Sequence, residues 1–155
     1  MLPRLALFCP VEKVLRSDEG AASLISILEN LNISVSEAAG APPPDAVFPT
    51  AWALFSLWER SDSQEPETFE QLVQGFHSGS TSASFRSEIQ FTFSAGLKRI
   101  QVHQAAFGFP VGQGELTFVA SIRELGQTEW EEAGHFAVVI THEVVPAPAS
   151  PEVPA

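Results

Sequence analysis

Between Ser84 and Phe93 apolar and polar side chains alternate almost residue by residue, and only an extended chain can sort them onto two sides. Phe85, Ile89, Phe91 and Phe93 fall on one face, and Arg86, Glu88, Gln90 and Thr92 on the other. Gly114 to Arg123 repeats the device, with Leu116, Phe118, Ala120 and Ile122 turned inward. Strands with one dry and one wet face belong in antiparallel layers. The expected fold is an all-β, antiparallel two-layer sandwich of about seven to nine strands with little or no helix.

The chain has 155 residues, enough for one domain with a real core. Twelve Phe and three Trp, with no Tyr, supply most of the large side-chain volume. Fully burying one such ring contributes roughly 1.5–3 kcal/mol. Disulfides are not part of the design, because Cys9 is the only cysteine. The opening Met1-Leu2-Pro3-Arg4-Leu5-Ala6-Leu7-Phe8-Cys9 is a poor lipoprotein signal, with a short apolar run and bulky Phe8 before the cysteine. No apolar run approaches the roughly 18 residues of a membrane span, and the expected compartment is the cytoplasm.

Eight Lys and Arg stand against nineteen Asp and Glu, a formal charge of −11. Phosphate backbones and anionic membranes repel such a chain, and no basic stripe overrides the sign. Nucleic acid and membrane are therefore not expected as partners.

Along the chain, residues 4–9 and 11–16 read as a strand interrupted at Pro10, which belongs at an edge or a bulge. Residues 22–35 read as the next strand region, with helix as the alternative. Residues 36–49 form the long irregular connection, containing Pro42-Pro43-Pro44. Thr50 to Glu59 is apolar on both faces, and a charged loop follows from Ser61 to Glu67. Thr68 to Phe76 fits either periodicity; the strand reading pairs it through a turn at 77–81 with the strand that follows. Lys98–Phe109 and Gly114–Glu124 suggest a hairpin about Pro110, and a turn at 125–127 leads through Glu129-Trp130-Glu131 to a last strand, His135 to His142. The domain is expected to span 1–145, with a flexible Pro/Ala-rich tail from Pro146 to Ala155.

The order of segments resembles that of a family of uncharacterised bacterial domains, a domain of unknown function. The matching stretches are Ala6 to Cys9 with Glu12 to Val14, Ser23 to Ile25, and Pro49, Trp52 and Trp58. Thr68 to Gln71 and Gly108 to Thr117 are the strongest. They span residues 4 to about 144. The resemblance implies a β-sandwich in which a segment like 68–76 is strand. It carries no known activity and no site residues. The family's Pro-Asp-Gly type of turn after this segment is replaced here by Ser78-Gly79-Ser80.

No catalytic constellation emerges. His77, His103, His135 and His142 contain no i, i+4 pair and no Cys/His cluster, and His135 and His142 fall on opposite sides of a strand. Asp18, Asp45 and Asp62 stand alone in their segments, which does not suit calcium. Glu129, Glu131 and Glu132 read as a solvated acidic edge. There is no Gly-x-Ser-x-Gly elbow, and Cys9 lies in an apolar strand where a thiol stays inert. The glycines at 108, 112 and 114 lack a following Lys-Ser/Thr and a helix, so they mark a loop rather than a phosphate cradle. No metal and no cofactor are expected.

What remains is aromatic surplus on strands with two apolar faces. Trp52, Leu54 and Trp58 occupy one side of residues 50–59, and Ala53, Phe55 and Leu57 the other. A sandwich covers one face of each sheet, so the second must meet the 36–49 loop, a terminal segment or another protein. The leading expectation is a non-enzymatic interaction or assembly module, binding a protein partner or itself. Its weak candidate contact residues are Trp52, Leu54, Trp58 and Trp130. The alternative is a small-molecule or metal-binding sandwich with hydrolytic potential, using His103, His135 or His142 with a nearby Glu.

Overall fold

A computed structural model of the chain describes residues 1–61 and 65–146. The tail expected from residue 146 lies, but for its first residue, outside the described residues, as does the middle of the charged loop, 62–64. Nine strands form two layers. The four-stranded sheet has the order β2-β1-β4-β7: β1 is Arg4–Arg16, β2 Ala22–Ile27, β4 Val47–Glu59 and β7 Arg99–Pro110. The five-stranded sheet has the order β3-β9-β8-β5-β6. There β3 is Asn30–Ser36, β5 Glu67–His77, β6 Phe85–Phe93, β8 Gly114–Glu124 and β9 Glu131–Val145. Every pairing is antiparallel except that of β3 with β9. The all-β sandwich is thus what the chain forms, and the one helical turn among the described residues is the 3-10 piece Glu37–Ala39.

The alternating segments behave as their pattern dictates. Leu116, Phe118, Ala120 and Ile122 of β8 are buried, while Phe91 and Phe93 of β6 close one end of the core. Residues 67–77 are strand, paired with β6 from Glu67↔Phe93 to Gly75↔Phe85. Residues 22–35 hold two strands in different layers rather than a helix. Ser26 takes φ 55, a conformation that kinks β2, and the Leu28-Glu29 step carries the chain across to the other sheet.

Two readings are corrected. β7 and β8 are not a hairpin, because β7 pairs with β4 and β8 with β5 and β9. The link after Pro110 instead passes between the layers, and Val111 N–H donates to Ala46 O at 2.9 Å. Pro10 lies at a local edge, as expected: there β1 pairs with β4 alone, and the β2 ladder starts only at Val11↔Ile27. The Pro10 carbonyl accepts from Leu28 N–H at 2.9 Å, so its nitrogen faces the same way, and the ladder to β4 loses nothing. Finally, the last strand is longer than the expected His135 to His142, since β9 runs from Glu131 to Val145.

The interior has two cores. Trp52, Leu54, Phe109, Phe118 and Ile140 centre one, and Trp58, Phe69, Phe93 and Ile122 the other. A further buried group lies outside both. Cys9, Val11 and Phe55 have the parity of the outward face of the four-stranded sheet, yet are 1%, 0% and 4% exposed. The β1–β2 hairpin explains this. β1 leaves β4 after Val11↔Ala53 and continues paired with β2 alone. Its Arg16 reaches His103 of β7 at 3.3 Å, and Arg16 and Gly20 share a shallow depression with Leu57 and Gln101. The hairpin therefore doubles back over the outer face of β4 and β7.

Candidate functional site

The four candidate contact residues do not come together. Trp52 contacts the rings of Phe85, Phe109 and Phe118, and its indole N–H donates to Gly108 O at 3.0 Å. Trp58 stacks on Phe91 with centroids 5.9 Å apart. Both Trp residues and Leu54 are buried, so the aromatic surplus of β4 goes chiefly into the core. Trp130 alone is partly exposed, under the Arg123 guanidinium at 4.1 Å; that arginine also donates to Glu70 at 2.7 Å.

A polar chain that the alternation hides crosses between the layers. Trp58 Nε1 donates to Gln71 Oε1 at 2.6 Å, Gln71 donates to Gln104, and Gln104 Nε2 donates to Ser87 Oγ at 3.0 Å. Gln71 and Gln104 occupy inward positions of β5 and β7 and are buried. The four side chains alternate between the sheets and satisfy one another, as buried amides require. Only the inward parity of a glutamine, Gln71 between Phe69 and Val73, could have announced it. Nearby Ser56 Oγ is buried with no partner among the described residues.

The histidines are separated. His77 closes β5 against the 110–114 link, where a Cβ on Gly112 would meet its ring at 2.9 Å and Pro44 O at 2.6 Å. Both ring nitrogens are shut away without a partner among the described residues, and burial lowers its pKa from 6.5. His142 Nε2 donates to Val111 O at 2.5 Å. His103 packs on Phe55, its pKa lowered by burial and by the Arg16 charge. His135 lies on the opposite face of β9 from His142, across from Val119. Among the described residues no three His, Cys, Asp or Glu side chains gather in metal-holding range. Burial pushes the Cys9 thiol up, away from the reactive thiolate.

Two surface features stand out. First, the large exposed apolar side chains concentrate on the four-stranded sheet: Leu7 and Leu15 on β1, Ile25 and Ile27 on β2, Val47 and Phe48 on β4, and Phe107 on β7 at 76% exposure. Those on the five-stranded sheet are Val139, Val144 and Val145, all on β9. Second, a cleft of about 480 Å³ opens where the sheets part, between β3 and the first half of β4. Its lining includes Leu28, Leu31, Ile33, Phe48, Trp52 and Phe109, with Glu12, Asn32, Ser34 and Thr50 as polar groups. Cleft and exposed face both depend on long-range pairing, which local periodicity does not carry.

Compared with protein-family models and with curated proteins, the chain matches none. Among the described residues no helix is long and apolar enough to cross a membrane.

Proposed function

We propose that this protein is a non-enzymatic interaction module of the bacterial cytoplasm, built to dock another protein on the outer side of its four-stranded sheet. The observation that carries this reading is the concentration of exposed Leu7, Leu15, Ile25, Ile27 and Phe107 on that one sheet. Scattered exposed apolar residues are ordinary, but their segregation to one layer marks a contact surface. Lys13 and Arg16 lie among them, in a chain of net charge −11. The complementary surface is therefore apolar with an acidic rim. The resemblance to an uncharacterised bacterial sandwich family agrees with this reading and adds no activity to it.

The test is mass in solution. Light scattering of the purified full chain at high concentration, beside co-purification from its host, should show a species heavier than the monomer. Ile25→Asp with Phe107→Asp should abolish that species while leaving the unfolding midpoint within a few degrees. A strict monomer with nothing bound overturns the reading, as does an assembly that survives the double substitution.

A further inference from the structure

The cleft beside β3 supports an inference independent of the apolar face. Strand edges carry unpaired amides and carbonyls, and proteins guard them with charge, proline, bulges or brevity. Three of the four edges here are guarded. β2 is six residues long and kinked at Ser26. β6 carries Arg86 and Glu88, and β7 carries Arg99 and ends in Pro110. The fourth, β3, reads Asn-Leu-Asn-Ile-Ser-Val-Ser, with no charge, no proline and no register shift in its pairing.

Which backbone groups of β3 face away from β9 follows from one bond. Val139 N–H donates to Glu29 O at 2.8 Å, so the Glu29 carbonyl faces β9. Backbone groups of successive residues point to opposite sides of a strand. Those of Leu31, Ile33 and Val35 therefore also serve β9, and those of Asn32 and Ser34 point to the open edge. The open edge is the wall of the cleft, since the four consecutive residues Leu31 to Ser34 all line it. Across the cleft stand Phe48, half exposed, and Trp52, with Glu12 supplying the one charge of the lining.

We infer that this cleft binds an extended peptide of a partner protein, which adds as a strand to β3. Alternate apolar side chains of the peptide enter between Ile33, Phe48, Trp52 and Phe109, and a basic residue meets Glu12. The recognition is main-chain hydrogen bonding for affinity with pockets for alternate side chains for selectivity. The volume lies within the usual span of ligand clefts, roughly 300–1,000 Å³.

The test uses the full chain and an acetylated heptapeptide alternating valine with threonine and lysine. On saturation the amide exchange of Asn32 and Ser34 should slow about 10-fold or more, while that of the β6 edge stays unchanged. The same peptide N-methylated at alternate residues keeps its side chains and should lose binding. Ser34→Pro removes an edge donor that β9 does not use, so it should abolish binding with the fold retained. Glu12→Lys should weaken the lysine peptide about 3- to 10-fold and favour a glutamate version. Phe107→Asp, on the other surface, should change nothing. Equal binding of the N-methylated peptide, no saturable binding, or a dimer of the chain that Ser34→Pro dissolves would each overturn the inference.

Discussion

The outer faces of the two sheets solve the same problem in opposite ways. The five-stranded sheet presents Thr68, Glu70, Arg86, Glu88, Gln90, Thr92 and Arg123, and its buried exception, Leu72, sits on β5, flanked by Glu88 of β6 and Ser121 of β8 in register. That face is finished by solvent. The four-stranded sheet instead carries Leu7, Cys9, Val11, Phe55, Leu57 and Phe107 outward, and folds its own β1–β2 hairpin over the middle of them. The lesson is that inward or outward parity does not by itself decide burial. A two-layer sandwich gains a partial third layer when one hairpin is longer than the sheet it edges.

The largest effect that could break this comparison concerns Phe55. On an open face its truncation would be nearly silent, but beneath the hairpin Phe55→Ala should cost about 3–5 kcal/mol, like Phe91→Ala in the core. Urea unfolding monitored by tryptophan fluorescence compares the two. A loss below about 1 kcal/mol at Phe55 would remove the third layer.

Next in size is the polar chain between the layers. Gln71→Leu strands the Trp58 indole N–H and the Gln104 amide in the interior, and should cost about 1–3 kcal/mol. Replacing Gln71 and Gln104 together by methionine should cost less than the sum of the single changes, because one orphaned amide is removed with its partner. A strictly additive double would mean that the two glutamines do not share a bond.

A smaller effect appears with pH. His103 on the covered face and His77 at the link both have pKa values lowered from 6.5 by burial, with Arg16 adding to the effect at His103. The folded state thus binds fewer protons than the unfolded chain, and the associated stability is complete above pH 6.5 and is lost as pH falls below it. Unfolding midpoints at pH 7.5 and 5.5 should differ less for His77→Leu with His103→Gln than for the parent protein. An unchanged difference would show that neither ring is sheltered.

The sheet interiors were readable from residue order because Phe85 to Phe93 and Leu116 to Ile122 each bury one face, and period two survives whatever the neighbours are. Three other features were not. β4 is apolar on both sides, so its composition could not say that Trp52, Leu54 and Trp58 face inward while Phe55 waits for a hairpin. The Pro110 to Gly114 link has the residues of a turn, and such residues do not distinguish a return to the same sheet from passage to the other. The cleft depends on which strand lies beside β9; parallel pairing of β3 with a strand over a hundred residues later leaves no local trace.

The smallest effects separate docking from packing. Glu88→Ala on the polar face and Phe107→Ser on the apolar face should each change stability by no more than about 0.5 kcal/mol, since neither is buried within the chain. For Glu88 that silence is what a solvated strand position implies. For Phe107 it has more weight: an aromatic ring 76% exposed at register Ala51↔Phe107 contributes nothing to folding that serine would not. A loss above about 1 kcal/mol on Phe107→Ser would place the ring under a cover supplied by the chain itself. The outer face of the four-stranded sheet would then be finished by the chain itself, as that of the other sheet is finished by solvent, and the case for a partner there would fall.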